Sequence, residues 1–398
     1  MYYLPKIALV SNTDFSLYNF RMGLIRALLA KGYRGHIVCP DGEQIEALVE
    51  QGVEHHPLII DRKGINPVNE LKTIWQLYRI FKKEKFDVVH GFTIKPNIYG
   101  DIAAKMAGVP AVINTVTGLG YVFTGNGRKK RLLRILVVAL YKFAFKFASR
   151  IIFLNDDDFE LFRRYGIGDS SRGIVIKSEG VDPERFSSSI VRQDDIERLH
   201  SELDIAKNHG QVIVTMIARL IWDKGVREFV EASRLVKSKY SNALFLLVGQ
   251  IDEGNPAAVP EEYVLGAESE KLIVYLGKRE DIPEILSISD IVTLPSYYRE
   301  GIPRVLLEAM SMCKPVITTN SVGCRETVVE GKNGYLVQPK DHVALASAIE
   351  TLVNDEKLRI TMGEYGRHKV LTEYDEGIIV SKIMRVYDEL LAPSSEVS

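Results

Sequence analysis

Short apolar segments alternate with amphipathic helical segments along almost the whole chain. The first series of strand-like segments comprises 7–11, 36–39, 54–57, 87–90, 111–116, 151–154 and 174–176. A second series comprises 212–218, 244–248, 273–276, 291–295, 315–319 and 335–337. Because each helix carries the chain back across the sheet, strictly alternating strands and helices form parallel, doubly wound sheets. The pattern therefore predicts an α/β protein with two Rossmann-like sheets.

The spacing of these segments also predicts the domain organisation. A chain of 398 residues is long enough for two α/β domains that each bury a core. We expect an N-terminal domain over 1–190, a polar linker over 191–210, a second domain over 211–375 and a C-terminal segment over 376–398 with a helix at 376–391.

Charge is distributed unevenly between the two halves. The overall charge of −1 combines residues 1–200, which have 29 Lys and Arg against 22 Asp and Glu, with a remainder that has 22 against 30. The N-terminal half is thus expected to meet an anionic partner. Cys39, Cys313 and Cys324 have no CxxC spacing, which favours a reducing cytoplasm and gives no support to a disulfide framework or a zinc site. The apolar run at 7–10 is too short for a signal peptide and is read as a first strand.

Two glutamates flank a predicted strand-to-helix junction in the second series. Glu300 follows the strand at 291–295, and Glu308 lies in the second turn of the next helix. Ligands bind open α/β sheets at the carboxyl ends of strands, so both carboxylates are expected in one crevice. The free backbone amides at the start of that helix are suited to a phosphate, and Gly301, Ile302 and Pro303 are the candidate donor-binding residues there. The alternative is a loop charge and a solvated helix residue.

Two cations occupy a similar junction about eighty residues earlier. The strand at 212–218 leads into Arg219 and Lys224, just before a helix that begins near Val226. Two cations at a strand end beside a helix start form a second anion site. A lysine that merely opposed the helix dipole would be unfavourable there.

Together these motifs resemble the retaining nucleotide-sugar glycosyltransferases of family 4, which have the GT-B fold. The resemblance implies two doubly wound domains that face each other across a cleft, with the nucleotide-sugar in the second domain, the acceptor in the first, and a last helix that crosses back to the first domain. It also implies roles for single residues in the second domain. Arg219 and Lys224 neutralise the donor diphosphate, Glu300 contacts the donor sugar, Glu308 binds the ribose, and Gly277 and Lys278 read the uracil.

These roles predict catalysis without a metal or another cofactor, by Glu300, Arg219 and Lys224. Fixed cations stabilise the charge that develops on the departing diphosphate, so a divalent ion becomes unnecessary. The run Asn155 to Asp158 contains Asp-x-Asp, the metal-binding signature of the GT-A fold. We interpret these aspartates instead as capping and charge-complementing the helix that follows.

Motifs of the N-terminal half narrow the resemblance. The groups Tyr18-x-Phe-Arg21 and Thr117-Gly-Leu-Gly120, with 218–225, most resemble bacterial α-1,3-N-acetylgalactosaminyltransferases that act on undecaprenyl-diphosphate sugars. Thr117 stands where many relatives carry histidine, so no catalytic histidine is predicted, and His90 is read as a polar residue closing a strand. The candidate acceptor-binding residues are Asn12, Tyr18, Arg21, Lys95 and Thr117. For Lys95 the alternative is a solvated loop lysine.

The segment 128–150 carries eight cations and no acidic residue, and its aromatic residues are interleaved with lysines. Its longest uncharged stretch, 135–141, is far shorter than the roughly 20 residues that cross a bilayer. A basic amphipathic helix of this kind is suited to an anionic membrane surface, which Arg128, Lys129, Lys130 and Arg131 would contact. The alternative is a core-facing helix with lysines that reach solvent.

The sequence therefore predicts a hexosyltransferase at the inner face of the cytoplasmic membrane. It would transfer a HexNAc, in the most specific form GalNAc in α-1,3 linkage, from a UDP-sugar to an undecaprenyl-diphosphate-linked saccharide, with no nucleic-acid partner. The alternatives are a transferase for soluble acceptors, or a nucleotide-sugar-binding protein or epimerase on the same frame.

Overall fold

The structure is a computed structural model that describes residues 3–61, 64, 66–119, 123, 128–203 and 210–392. By its contacts the chain divides into two units. The first extends to Gly180 and includes the helix that begins at Glu376, and the second is Val181–Asp375. Some predictions fall outside the described residues, namely those on Gly120, 204–209, 393–398 and the side chains of Lys129 and Lys130.

The first unit is built on a seven-stranded parallel sheet with the order β3-β2-β1-β4-β5-β6-β7. Its strands are β1 Lys6–Val10, β2 Arg34–Cys39, β3 Glu54–Pro57, β4 Val88–Phe92, β5 Ala111–Val116, β6 Arg150–Phe153 and β7 Gly173–Val175. Its helices include Asp14–Ala30, Ile45–Glu50, Pro67–Glu84, Ile94–Ala107, Arg128–Ala144, Asp156–Tyr165 and Glu376–Leu391.

The second unit is built on a six-stranded parallel sheet with the order β10-β9-β8-β11-β12-β13. Its strands are β8 Val212–Ile217, β9 Ala243–Val248, β10 Val274–Tyr275, β11 Ile291–Leu294, β12 Val316–Thr319 and β13 Gly334–Val337. Its helices include Gln193–Glu202, Val226–Lys237, Glu261–Ser269, Ile282–Ile288, Arg304–Ser311, His342–Asn354 and Glu356–Lys369. The two parallel sheets confirm the predicted fold class.

The central strands are covered on both faces, which explains why they are largely apolar. In β1, Ile7 and Leu9 are buried in one apolar cluster, and Ala8 and Val10 are buried in the other. Successive side chains of a strand point to opposite faces, so a strand covered on both sides needs apolar residues on both faces.

The boundary between the units lies ten residues before the expected one. The segment 181–190 belongs to the second unit, where Val181 and Phe186 are buried in the core. The helix Gln193–Glu202, within the expected linker, packs on the same unit through Leu199. In the sequence, polar residues surround Val181, Phe186 and Leu199. No apolar pattern therefore assigns this segment to the second unit.

The helix Glu376–Leu391 is held to the first unit by apolar packing and one buried polar contact. Ile379, Val386 and Tyr387 are buried in the cluster that also contains Leu24 of the helix Asp14–Ala30. The Tyr387 hydroxyl lies 2.6 Å from Nδ1 of His90 in β4. The other ring nitrogen of His90 lies 2.7 Å from the Thr115 hydroxyl.

His90 is therefore a structural residue in the interior of the first unit. Its side chain is fully buried. A neutral imidazole has one N–H donor and one acceptor nitrogen. One ring nitrogen of His90 therefore donates to one of the two hydroxyls, and the other ring nitrogen accepts from the second hydroxyl. Burial, with a smaller contribution from the nearby Arg21 charge, holds the pKa of His90 well below its usual range.

We predict that the free energy of unfolding falls as the pH drops below about 6.5, the pKa of histidine in an unfolded chain. The unfolded state binds a proton there that folded His90 does not bind, so folding loses stability on acidification. Urea unfolding at several pH values should show a shallower decline for His90→Gln than for the wild type. The exposed His368 supplies the control variant His368→Gln, which should keep the wild-type slope. Equal slopes for wild type and His90→Gln would contradict this role.

Candidate active site

The ends of β8 and β11 bring together two of the predicted residues of the second unit, Lys224 and Glu300. These two strands are neighbours, and the order of the strands reverses between them. The chain leaves β8 at Ile217 and passes through a short 3₁₀ turn at Trp222–Lys224 into the helix Val226–Lys237. After β11 a loop that contains Glu300 leads into the helix Arg304–Ser311. Open α/β sheets bind ligands at such a reversal.

Lys224 and Glu300 form an ion pair at this position. The Lys224 ammonium lies 2.5 Å from Glu300 Oε1, and the side chains are only 13% and 11% exposed. The Tyr298 ring lies beside the ammonium, with its centroid 5.3 Å from Nζ. Low exposure limits screening by water, so each charge strongly orients the other.

Ser296, which the sequence did not reveal as a site residue, contacts the same carboxylate oxygen as Lys224. Its side chain is fully buried, and its hydroxyl donates to Glu300 Oε1 at 2.9 Å. Its backbone carbonyl accepts hydrogen bonds from the hydroxyls of Thr319 and Ser321. The sequence signal was a small hydroxyl residue directly after the strand-ending Pro295, four residues before a carboxylate.

Two glycines allow the loops around this pair to approach closely. Gly225 has φ of 87°, and a Cβ at that position would lie 2.3 Å from the carbonyl oxygen of Pro295. Gly323 has φ of 78°, and its Cβ would lie 2.0 Å from the carbonyl oxygen of Gly301. Both positions therefore require glycine, for conformation and for space.

Glu308 projects from the helix Arg304–Ser311 and pairs with Arg304, one turn earlier. Arg304 Nε donates to Glu308 Oε1 at 3.1 Å, and both side chains are largely buried. Burial raises the pKa of Glu308, and the Arg304 charge opposes that shift. The i,i+4 spacing of the pair was visible in the sequence, but its burial was not.

The start of this helix has no side-chain cap. The residues directly before it, Gly301, Ile302 and Pro303, are buried.

Arg219 has a partner of its own. It donates from Nη1 to Asp252 Oδ2 at 2.8 Å, and its side chain is 45% exposed.

Gly277 and Lys278 follow β10, which is separated from β8 by β9. The Gly277 carbonyl accepts from the amide of Gly249 at 2.8 Å, and Lys278 is exposed with Glu280 3.6 Å away.

The candidate acceptor residues of the first unit fall into two groups. Asn12 and Thr117 lie half-buried in the loops after β1 and β5, and Tyr18 packs half-buried on the apolar core. Arg21 is buried, pairs with Glu179 and covers the Phe92 ring at 4.3 Å.

Lys95 is not a solvated loop lysine. Its ammonium donates to the carbonyl oxygens of Asp61 and Gly64 at 2.6 and 2.7 Å, and to Glu70 Oε1 at 2.6 Å. An ammonium has three protons, so these three bonds satisfy it. Lys95 thus ties a loop to the helix Pro67–Glu84.

The Asp-x-Asp motif lies at the start of a helix. Asn155 is the N-cap and accepts from the Asp158 amide at 2.8 Å, and its own amide group donates to Asp158 Oδ2 at 3.2 Å. Asp156 pairs with Lys177 at 3.2 Å. The capping function therefore belongs to Asn155 rather than to the aspartates. Within the described residues, these aspartates do not form a group with metal-ligand spacing.

The comparisons with known proteins agree with this geometry. Residues 200–369 match the family described as Glycosyl transferases group 1, and residues 6–155 match the family described as Glycosyl transferase 4-like. The N,N'-diacetylbacillosaminyl-diphospho-undecaprenol alpha-1,3-N-acetylgalactosaminyltransferase of Campylobacter jejuni is 33% identical over 97% of this chain and 99% of its own length. The chain belongs to the group 1 glycosyl transferase family. The predicted family and enzyme class are thereby confirmed.

Other relatives of this glycosyltransferase agree. The UDP-Gal:alpha-D-GlcNAc-diphosphoundecaprenol alpha-1,3-galactosyltransferase of Escherichia coli is 29% identical over 89% of each chain. A glycosyltransferase from Rickettsia africae superposes with a TM-score of 0.78, at 23% identity, and covers 99% of this chain and 100% of that chain. Anabaena Alr3699/HepE in complex with UDP-glucose gives a TM-score of 0.77, at 22% identity, and covers 96% of this chain and 99% of its own. These likenesses show the GT-B fold.

The basic segment of the glycosyltransferase forms the helix Arg128–Ala144, which we call the basic helix. Its buried face includes Val137 and Tyr141. A second apolar row, which we call the outer stripe, is at least half exposed and consists of Leu132, Ile135, Leu136 and Phe143. Arg128 and Arg131 are exposed. Across the described residues, no helix combines the length and apolar character needed to span a membrane.

We predict that Lys224 and Glu300 are energetically coupled in sugar transfer. Lys224→Ala should lower turnover by roughly 10²-fold, the usual loss for a group that stabilises transition-state charge. Combined with Glu300→Gln it should cost 0.5–3 kcal/mol less than the sum of the two single losses, the range for residues in contact. Steady-state rates of the four proteins measure this coupling.

The matched control is a double variant that combines Lys224→Ala with Lys278→Ala. Lys278 forms its ion pair with Glu280, whereas Lys224 forms its ion pair with Glu300. Those two losses should add to within about 0.5 kcal/mol. Strict additivity for Lys224 and Glu300 in folded variants would show that the contact has no role in catalysis.

Proposed function

We propose that this glycosyltransferase transfers an N-acetylhexosamine from a UDP-sugar to a saccharide linked to undecaprenyl diphosphate, and that the configuration of the sugar is retained. N-acetylgalactosamine in α-1,3 linkage is the best-supported case, because the Campylobacter relative carries that activity in its name. The observation that carries the proposal is the ion pair of Lys224 and Glu300 at the reversal between β8 and β11.

The donor diphosphate is assigned to this reversal. Lys224 supplies a point charge, and the helices that start at Val226 and Arg304 have no side-chain caps. The amides of such helix starts suit phosphate oxygens. Arg219 is half exposed, so it can exchange Asp252 for a diphosphate oxygen when the donor binds.

The nucleoside is assigned to Glu308 and to the end of β10. Arg304 holds one oxygen of the Glu308 carboxylate, which orients the group to accept hydrogen bonds from the ribose hydroxyls. Neighbouring strands are about 4.8 Å apart, so Gly277 at the end of β10 lies roughly 10 Å from β8. That span suits a nucleoside diphosphate with its base at Gly277 and Lys278.

The chemistry follows from these positions. The bond between the anomeric carbon and the diphosphate oxygen breaks, and negative charge develops on UDP while positive charge develops on the sugar ring. Lys224 is held in place before the reaction, so it stabilises the diphosphate without reorganising. Glu300, oriented by Lys224 and Ser296, stabilises the sugar ring. Protein cations thus replace a divalent ion, and no cofactor is needed.

The acceptor is assigned to the first unit. The names of both relatives contain a diphospho-undecaprenol saccharide. Asn12, Tyr18 and Thr117 are our candidates for contact with it, because Asn12 and Thr117 lie half-buried in the loops after β1 and β5 and Tyr18 lies half-buried in the helix that follows β1. Arg21 and Lys95 are committed to internal contacts and are better explained as structural residues of the first unit.

The lipid-linked acceptor requires access to a membrane surface, which we assign to the basic helix at the cytoplasmic face. Its outer stripe lies opposite the buried face, since successive residues of a helix are rotated by about 100°. Arg128 and Arg131 flank that stripe. Exposed apolar residues beside cations match an anionic lipid interface. Phe145, which follows the basic helix, is fully buried in the core and does not belong to this surface.

An assay with defined donors and acceptors tests the proposed function. UDP-GalNAc, UDP-GlcNAc and UDP-Glc are offered with a short-chain polyprenyl-diphosphate saccharide, and product is measured with and without EDTA. We expect acceptor-dependent transfer from UDP-GalNAc that survives EDTA. Transfer to soluble sugars alone would favour a transferase for soluble acceptors. UDP-sugar binding or epimerisation without UDP release would favour a nucleotide-sugar-binding protein or an epimerase. Loss of activity in EDTA with recovery in Mn²⁺ would overturn the metal-independent mechanism.

We predict that replacing Arg128, Lys129, Lys130 and Arg131 by Gln abolishes most binding to anionic vesicles. Each cation near such a surface contributes about 1 kcal/mol, and salt weakens the attraction within a Debye length of about 8 Å. Turnover of a soluble short-chain acceptor should change little. Co-sedimentation with vesicles measures binding, and Leu132→Ser with Leu136→Ser tests the outer stripe separately.

A charge-matched control removes four exposed cations of the second unit, namely Lys239, Arg325, Lys332 and Lys357. This variant should bind vesicles like the wild type. Equal binding by the basic-helix variant would exclude the basic cluster as the membrane contact.

A further inference from the structure

Three potential metal ligands meet on the outer strands of the first unit, away from every residue assigned above. His36 lies on β2, and Glu54 and His56 lie on the edge strand β3. The parallel register pairs His36 with Glu54 and Val38 with His56. Side chains two residues apart share a face, so all three ligands project from the same side of the sheet.

The distances between the ligand atoms suit a single ion. Nδ1 of His36 lies 3.1 Å from Nε2 of His56, and 3.7 Å from Oε2 of Glu54. All three ligand atoms lie within 4.8 Å of one another. In a tetrahedral zinc site with Zn–N bonds of 2.0–2.1 Å, two nitrogens are about 3.3 Å apart. Only small side-chain movements would complete three bonds to one ion.

The environment keeps the two imidazoles available as ligands. His36 is fully buried, and burial lowers its pKa to about 4 and also lowers the pKa of His56. Neutral imidazole is the form that binds metals, so protons compete little near neutral pH. Glu54 is half exposed, and its other oxygen lies 3.4 Å from Arg34. The Glu84 charge favours a cation at the histidines, whereas those of Lys6 and Lys83 oppose it.

We propose that His36, His56 and Glu54 bind one divalent transition-metal ion, with Zn²⁺ as the best match, and that this ion ties the edge strand β3 to β2. Two imidazoles and one carboxylate are a common set for zinc, with solvent in the fourth position. In the absence of metal the two facing nitrogens share one proton. Metal binding requires that His36 carry its proton on Nε2 and that His56 carry its proton on Nδ1. The ring that held the shared proton therefore changes tautomer, both rings stay neutral and no proton is released.

The role of this ion is structural. Edge strands have a partner on one side only and separate from a sheet more easily than central strands. A metal that joins β3 to β2 adds a link at that weak edge. This proposal does not depend on the donor, the acceptor or the mechanism proposed above.

Zinc titration of tag-free, chelator-treated protein tests the proposal. Calorimetry should show one equivalent of Zn²⁺ bound, and the thermal midpoint should rise with the Zn²⁺ concentration, because a ligand of the folded state stabilises it. His56→Ala and Glu54→Gln should each weaken binding by at least roughly 10- to 100-fold, the loss seen even for groups that only orient a ligand.

His55 supplies the matched control. It is adjacent in β3, and its Nε2 lies 3.0 Å from the carbonyl oxygen of Cys39 rather than at the cluster. His55→Ala should keep the wild-type affinity for Zn²⁺. Glu54→Gln keeps the proposal testable if a histidine variant does not fold, because Glu54 is half exposed. Absence of Zn²⁺ binding to the wild type, or equal loss in the His55 and His56 variants, would overturn the proposal.

Discussion

The ion pair of Lys224 and Glu300 organises the candidate active site. Parallel pairing of β8 with β11 places the carboxyl ends of both strands at one edge of the sheet, and the pair joins the two loops that leave that edge. Gly225 and Gly323 let the loops approach, and Ser296 fixes the carboxylate. The charges are thus oriented before a donor binds, which is the condition for electrostatic catalysis without reorganisation.

The architecture was predictable because its cause is local. A strand covered on both faces is largely apolar, and each of the thirteen strands that the structure describes lies within two residues of a strand segment predicted from the sequence. The helix Glu376–Leu391 was predicted with its observed bounds. The boundary at Gly180 was not predicted, because it depends on the long-range packing of Val181 and Phe186.

The candidate site was only partly predictable, because it also depends on contacts between residues that are far apart in the sequence. Residue type and position relative to a strand end predicted Glu300, Glu308, Arg219 and Lys224 as candidates. Loop geometry decides which charges pair, so the pairing of Arg219 with Asp252 could not be predicted. The burial of the Arg304–Glu308 pair depends on tertiary packing and could not be predicted either. The phase of the basic helix also depends on tertiary packing. It buries Tyr141 and exposes Phe143, although both are aromatic and only Lys142 separates them in the sequence.

The central claim is that protein cations at the ends of β8 and β11 hold the donor diphosphate. Hydrogen–deuterium exchange with and without UDP, in EDTA, tests it most directly. We expect UDP to slow exchange in the segments 219–226 and 300–308 and to leave 155–160 unchanged. Protection of 155–160 that appears only with Mn²⁺ or Mg²⁺, without protection of the segments after β8 and β11, would contradict the account.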